Sequence, residues 1–196
     1  EARLAQFTNE GGVGGRIRFL QNITGLWILQ RLMSEWKTRG EEQSYDTLIP
    51  QAAEATIASI IPVDDALFMN PVNMENALMD YCRQHDLPVP QNKAEMVKCV
   101  LQSLAFKYKQ AVEKLNRCLP SPIRQLNIIG GGSQNKLLNQ LTADTLGIPV
   151  YAGPVEATAI GNILTQTMAK GEISDLHELR EIVRHSITPQ VYHPKK

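Results

Sequence analysis

Apolar residues recur at steps of three and four over much of the chain. After the glycine-rich stretch "TNEGGVGG", the residues Ile17, Leu20, Ile23, Trp27, Met33 and Trp36 keep that spacing until Gly40. The pattern predicts one amphipathic helix with a glycine-rich entry and a glycine stop. A second helical pattern, rich in alanine, spans about Tyr45 to Ile60 and ends before Pro62. "PVDDALFMNPVN" then reads as a loop, because each proline biases its predecessor away from helix. A short helix follows from about Met74 to His85, stopped by the prolines of "DLPVPQN", where Asn92 is placed to cap the next helix. That next helix carries Val97, Leu101, Leu104, Tyr108, Val112, Leu115 and Leu119 at helical steps. Its single apolar stripe makes it the expected scaffold of the chain.

From Ile123 the period changes. "RQLNII" reads as a short strand ending at Gly130, Ser133 to Leu146 as a helix with Leu137, Leu138 and Leu141 on one side, and "IPVYAG" as a second strand. Pro154 suits the first position of a further helix, and Glu156 suits its positive start. Strand, glycine turn, helix, strand, glycine turn, helix is the order of a parallel α/β layer. Ligands in such layers bind outside the carboxyl ends of the strands, where both glycine turns fall. The small residues Ala157, Ala159 and Gly161 are explained by close packing alone.

Composition narrows the function classes. The 196 residues are 43% hydrophobic with 20 basic and 20 acidic side chains, enough for one core or two and without net charge. No basic cluster is present, which argues against a nucleic-acid partner. Charges interrupt the apolar stretches well before membrane-spanning length, and the start "EARLAQFTNEGG" lacks a signal-peptide profile, so a cytoplasmic location is expected. The first residue is Glu1, and a longer parent chain is expected. Cys82, Cys99 and Cys118 show no C-x-x-C spacing, so neither zinc nor a disulfide framework is signalled; buried thiols are the expected state of Cys82 and Cys99, on adjacent helices.

The turn in "NIIGGGSQNKLLNQL" fits neither common phosphate loop. It lacks the lysine of a Walker loop, and the dinucleotide pattern fails because position 135 is Asn and no acidic residue ends the next strand. Two readings remain. Gly131 and Gly132 present bare backbone to a flat ring or phosphate at a helix start, with Asn135 able to donate and accept as an adenine edge demands. Alternatively, the glycines only supply the dihedrals of a tight turn. Asn22 and Gln30 interrupt an apolar run in the first expected helix, about 80° apart around its axis and roughly 12 Å along it. They are either exposed surface residues or contacts to two ends of a long ligand.

Taken together, "FTNEGGVGGRIRFLQNITGLWILQ", "IIGGGSQNKLLNQLTAD" and "AGPVEATAIGNIL" closely resemble the carboxy-terminal domain of the FGGY carbohydrate kinases, in order and in approximate spacing over essentially the whole chain. "TNEGG" and N-I-x-G-L-W look particular to the branch acting on L-rhamnulose. The resemblance implies an α/β fold of the ribonuclease-H-like, actin-like ATPase class, helix-rich and incomplete at its amino-terminal end. Residues 1–196 would be the nucleotide-binding carboxy-terminal domain, lacking its first strands and the amino-terminal kinase domain, its expected partner. The implied reaction is phosphoryl transfer from ATP, with Mg2+, to the 1-hydroxyl of L-rhamnulose, an acidic residue taking the hydroxyl proton. Carried over by position, Asn22 is a sugar contact, Gln30 lies on the nucleotide side, Gly131 approaches ATP through its backbone, and Gly132 and Asn135 neighbour the adenosine.

The departures are as informative. The family's catalytic aspartate and its glycine-threonine phosphate turn precede "TNEGG", and Asp64, Asp65, Asp144 and Glu156 do not occupy the base position. The segment alone is expected to be inactive. Another FGGY kinase, for xylulose or fuculose, and a non-catalytic nucleotide-binding module are the competing readings.

Overall fold

The computed structural model describes residues 7–195, so the extreme amino terminus, read above for a leader, lies outside it. The stretch from Ile17 to Gly40 is not the single long helix that its apolar spacing predicts. Thr8–Gly11 (β1) and Ile17–Leu20 (β2) pair as an antiparallel hairpin in the register Thr8↔Leu20 to Gly11↔Ile17. Gly14 and Gly15 turn the chain between them at φ 68° and 70°, values that glycine adopts without steric cost. Phe19 stacks on Phe7 with ring centroids 4.7 Å apart. Helix α1 starts only at Trp27 and runs to Thr38. Its buried face is Ile28, Leu29, Leu32 and Trp36, while Trp27 stays exposed.

Helix α2 (Tyr45–Glu54) is capped by Ser44, whose Oγ accepts from the Thr47 N–H at 3.2 Å. It ends six residues before the expected Ile60. The following strap lies extended along α4 (Lys93–Asn116), and side chains of α4 satisfy its backbone. Gln102 Nε2 donates to the carbonyls of Ile57 (3.1 Å) and Ser59 (2.7 Å), and the Ile61 N–H donates to Ser103 Oγ (2.9 Å). Ser103 Oγ in turn donates to the Cys99 carbonyl at 2.6 Å. These long-range partners end α2, since a buried main-chain group must find a partner and here finds it across the strap.

Helix α3 (Met74–Gln84) and α4 begin where the sequence places them. Asn73 Oδ1 accepts from the Asn76 N–H (2.7 Å) and Asn92 Oδ1 from the Glu95 N–H (2.9 Å). The Glu95 carboxylate in turn accepts from the N–H of Gln91, the residue before the cap, at 2.7 Å, a variant of the capping box. The main core lies among α1 to α4, with Trp36, Phe68, Met74, Leu78, Leu101 and Leu104 fully buried. Cys82 and Cys99 are buried in it as free thiols, Cys99 Sγ donating to the Ser59 carbonyl.

The carboxy-terminal part is a small α/β layer. Strand β3 (Leu126–Ile128) pairs in parallel with β4 (Val150–Ala152), and α5 (Lys136–Leu146) connects them. The helix expected from Ser133 is two elements, a 3-10 turn at Gly131–Gln134 and then α5, capped by Asn135. Leu138 of α5 joins the main core, which ties this layer to α4. Pro154 does not open a helix; α6 runs Ala157–Ala169, with Glu156 at its cap position making no capping bond. Sequence periodicity had not marked the two elements that follow. Helix α7 (Leu176–Ser186) is capped by Asp175, and β5 (Gln190–Tyr192) pairs antiparallel with β4. The apolar helix α6 buries no residue in this chain, and Ile163 is 63% exposed.

If the strap depends on α4, Ser103→Ala strands the buried Ile61 N–H and lowers unfolding free energy by about 1–3 kcal/mol in urea titrations. Gln110→Ala, at an exposed position on the same helix, changes it by less than about 0.5 kcal/mol. Equal effects would remove the strap from the account.

Candidate functional site

The glycine turn is built by the sheet beneath it. Beyond β3 and β4 the parallel ladder continues, the Gly153 N–H donating to the Ile128 carbonyl (2.8 Å) and the Gly130 N–H to the Pro154 carbonyl (3.0 Å). Gly130 holds φ 75° and ψ −164°, a conformation reserved for glycine. Its carbonyl then accepts from both the Ser133 N–H (3.0 Å) and the Ser133 hydroxyl (2.7 Å), which closes the 3-10 turn. From inside α5 the fully buried Asn139 donates through Nδ2 to the Ser133 carbonyl at 2.8 Å. The turn is therefore fixed from its strand side and its helix side together.

A Cβ added at Gly131 would meet nothing within 4 Å, so its backbone faces open space. That space is a cleft of about 690 Å3, within the size range of small-molecule sites. One wall is the turn and the start of α5, with Gly131, Gln134, Asn135 and Lys136; a second is the start of α1, with Leu26 and Gln30. The third is α2, with Tyr45, Asp46, Ile49 and Pro50. The structure thus brings Gln30, Gly131 and Asn135 together, although 101 positions separate the first two in sequence. Gly132 is not in the lining; its added Cβ would lie 3.9 Å from Ile128 Cγ2, toward the sheet.

The walls combine apolar side chains with polar groups. Leu26, Ile49, Pro50 and the ring of Tyr45 supply the first. Burial pushes the Tyr45 phenol above its ordinary pKa, so it is a neutral donor at physiological pH. Pro50 has no N–H to give to the Asp46 carbonyl, which leaves that acceptor without its helical partner beside the cleft. Asn135 Oδ1 accepts the Leu138 N–H at 3.0 Å as the cap of α5. Its acceptor is engaged in the fold, and what Asn135 presents to a ligand is its amide NH2. Nothing in the spacing of α2 marked it as a wall; the local signals were a proline inside an alanine-rich helix and a tyrosine directly after the capping Ser44.

Asn22 belongs to a different place. It is exposed, in the coil between β2 and α1, and does not share a helix with Gln30, so the helical relation expected between them does not exist. Its loop is tied to the strap end. The Thr24 N–H donates to Asp64 Oδ1 at 3.1 Å, Lys107 of α4 pairs with Asp64 Oδ2, and Trp27 Nε1 donates to the Met69 carbonyl at 3.1 Å. Partial burial pushes the Asp64 carboxyl up, but hydrogen bonds from Lys107 and Thr24 outweigh it and hold the pKa below the usual range. The other carboxylates singled out from sequence are placed too: Asp65 caps the 3-10 turn at Ala66–Phe68, and Asp144 accepts from Gln140 and from the Lys195 N–H. Glu156 is exposed at the start of α6. Among the described residues no three His, Cys, Asp or Glu side chains gather as a metal cage, and no helix is long and apolar enough to cross a membrane.

Known proteins resemble this chain in sequence and in fold. The rhamnulokinase of Bacteroides thetaiotaomicron is 46% identical over the whole of this chain, which corresponds to 40% of the relative. That of Pectobacterium carotovorum subsp. carotovorum is also 46% identical over the whole chain and 39% of its own length, and that of Yersinia pestis (strain Pestoides F) is 42% identical over 187 residues. The chain thus spans about two fifths of the curated relatives it matches. A xylulose kinase from Rhodospirillum rubrum superposes with a TM-score of 0.60 on 97% of this chain and 38% of its own, at 15% identity, a likeness of fold. Over residues 1–170 the sequence matches the FGGY family of carbohydrate kinases, C-terminal domain. The helix-rich α/β layer with its glycine turn is the fold of that domain, and the chain belongs to the FGGY carbohydrate kinase family.

Proposed function

We propose that the full-length protein transfers the γ-phosphoryl group of ATP to the 1-hydroxyl of L-rhamnulose, and that residues 1–196 are its carboxy-terminal, nucleotide-side portion. The observation that carries this reading is the single cleft that joins Gln30, Gly131 and Asn135. The purine lies against the bare backbone of Gly131, with Gly132 behind it, Gln30 and the Asn135 amide at its edge, and the apolar face of α2 opposite. Asn22, on its separate loop, meets the sugar. The names of the relatives at 42–46% identity support L-rhamnulose as the acceptor.

Phosphoryl transfer asks a protein mainly to position reactants and to stabilise charge. This chain's share is positioning. The carboxylate that takes the hydroxyl proton is assigned, on the family resemblance, to residues preceding "TNEGG". Asp64, Asp65 and Asp144 are engaged in the fold, Glu156 is exposed at the start of α6, and Asp46 lines the cleft assigned to the nucleotide rather than the Asn22 loop. The Mg2+ that accompanies ATP would neutralise phosphate charge, bound chiefly through the nucleotide's own phosphate oxygens. The uncovered apolar helix α6 and the free edge of β3 are surfaces for the rest of the domain and for the amino-terminal kinase domain. The reaction is placed in the cytoplasm, with neither nucleic acid nor membrane as a partner.

In a coupled ADP-release assay the full-length protein is expected to prefer L-rhamnulose over L-fuculose, D-xylulose and glycerol by roughly tenfold or more in kcat/KM. Comparable rates on all four would overturn the sugar assignment, and residues 1–196 alone should release no sugar-dependent ADP. Gly131→Leu tests the cleft. The added side chain meets no protein atom within the reach of its Cβ, so the fold is kept while KM for ATP rises roughly tenfold or more. By contrast, Gly130→Ala forces a side chain into a glycine-only conformation and costs about 1–3 kcal/mol of stability. An unchanged ATP KM in Gly131→Leu would refute the nucleotide cleft.

A further inference from the structure

Between Asn22 and Gly25 the chain is neither helix nor strand. Among the described residues, the Thr24 N–H to Asp64 Oδ1 bond is the main-chain hydrogen bond that this stretch makes. Both oxygens of that carboxylate are used. Oδ1 holds the loop two residues from Asn22, and Oδ2 holds Lys107, which rises from α4. The strap that carries Asp64 is itself fixed to α4 one turn earlier, where Ser103 Oγ takes the Ile61 N–H at 2.9 Å. Val63, beside Asp64, is 2% exposed and anchors the strap end in the main core.

We propose that Asp64 and Lys107 form a positioning pair that sets the Asn22 loop in register for the sugar. This rests on Asn22 being a sugar contact. A surface ion pair alone contributes little, because solvent screens it and ordering two side chains costs entropy. The geometry here differs in what the carboxylate does: Lys107 on Oδ2 restrains its rotation, so Oδ1 stays aimed at the Thr24 main-chain N–H. Trp27, bonded to the Met69 carbonyl, fixes the far end of the loop to the same stretch of chain. The loop is held at two points by residues 62–69, of which Asp64 is tied to α4 through Lys107 while the turn Ala66–Phe68 packs on α3. Asp64 touches neither reactant. It acts through Thr24 on Asn22, and the nucleotide cleft does not contain it.

The test is steady-state kinetics of the full-length protein with L-rhamnulose and ATP varied separately, alongside urea unfolding. Asp64→Ala should raise KM for L-rhamnulose roughly tenfold while KM for ATP stays within about twofold. Asp64→Asn keeps an acceptor for the Thr24 N–H and should recover most of the loss. Lys107→Met leaves that hydrogen bond but frees the carboxylate, and should give an intermediate rise in sugar KM; it carries the test if Asp64→Ala fails to fold. Asn22→Ala is made in parallel. If Asn22→Ala raises the sugar KM and neither Asp64→Ala nor Lys107→Met does, the positioning pair is overturned. Equal shifts in both KM values would overturn it as well, since they mark a general loss of structure. An unchanged sugar KM in Asn22→Ala would overturn the reading of Asn22 and the pair with it.

Discussion

The backbone of the strap after α2 is buried against α4, and its polar groups have to be satisfied there. Gln102 and Ser103 meet that demand at Ile57, Ser59 and Ile61, and much of the molecule follows from it. Because the strap is extended, α2 stops at Glu54 and its first turns are left to face the glycine turn. Because the strap ends at a fixed point, Asp64 reaches Thr24. The same helix packs against α5 through the main core, and α5 carries the turn. One helix therefore references both the glycine-turn wall of the cleft and the Asn22 loop. Neither site needs to be large or charged for their relative placement to be firm.

What the sequence disclosed and what it hid divide along the range of the interactions involved. Asn92 caps its helix through a bond spanning three residues, and the end of α1 at Gly40 is equally local, so these boundaries were readable, whereas the start of α5 lies at the Asn135 cap and not at the expected Ser133. The α/β order of β3, α5 and β4 was readable for the same reason. The stretch from Ile17 to Trp27 was not. Ile17 and Phe19 alternate as a strand requires, while Ile17, Leu20 and Ile23 also keep a helical step, and the hairpin partner at Thr8–Gly11 decides between them. The end of α2 was hidden because Gln102 and Ser103, more than forty residues away, set it. Asn135 showed a third limit: its composition advertised a donor and an acceptor, but the fold had already engaged the acceptor.

The candidate site was legible in part for a similar reason. Gly131 and Asn135 are neighbours in sequence and point to a ligand by local chemistry. Gln30 joined them only through family resemblance, and the placement on one cleft gives that resemblance a physical basis. The α2 wall, with Tyr45, Ile49 and Pro50, was not read because its spacing does not distinguish a cleft face from solvent-exposed helix, and the internal proline and the tyrosine after Ser44 name no partner by themselves. Separating Asn22 from Gln30 also changes how two reactants are served. In the proposed reading they are met by two separate elements, a capped helix start and a tethered loop, both referenced to α4, rather than by two positions on one rigid helix.

That separation can be seen directly by hydrogen–deuterium exchange on the full-length protein, with a non-hydrolysable ATP analogue and with L-rhamnulose added one at a time. The account predicts that the nucleotide alone slows exchange at residues 131–138 and at the start of α2, and that the sugar alone slows it at residues 22–25. Unchanged exchange at residues 131–138 with saturating nucleotide would contradict it.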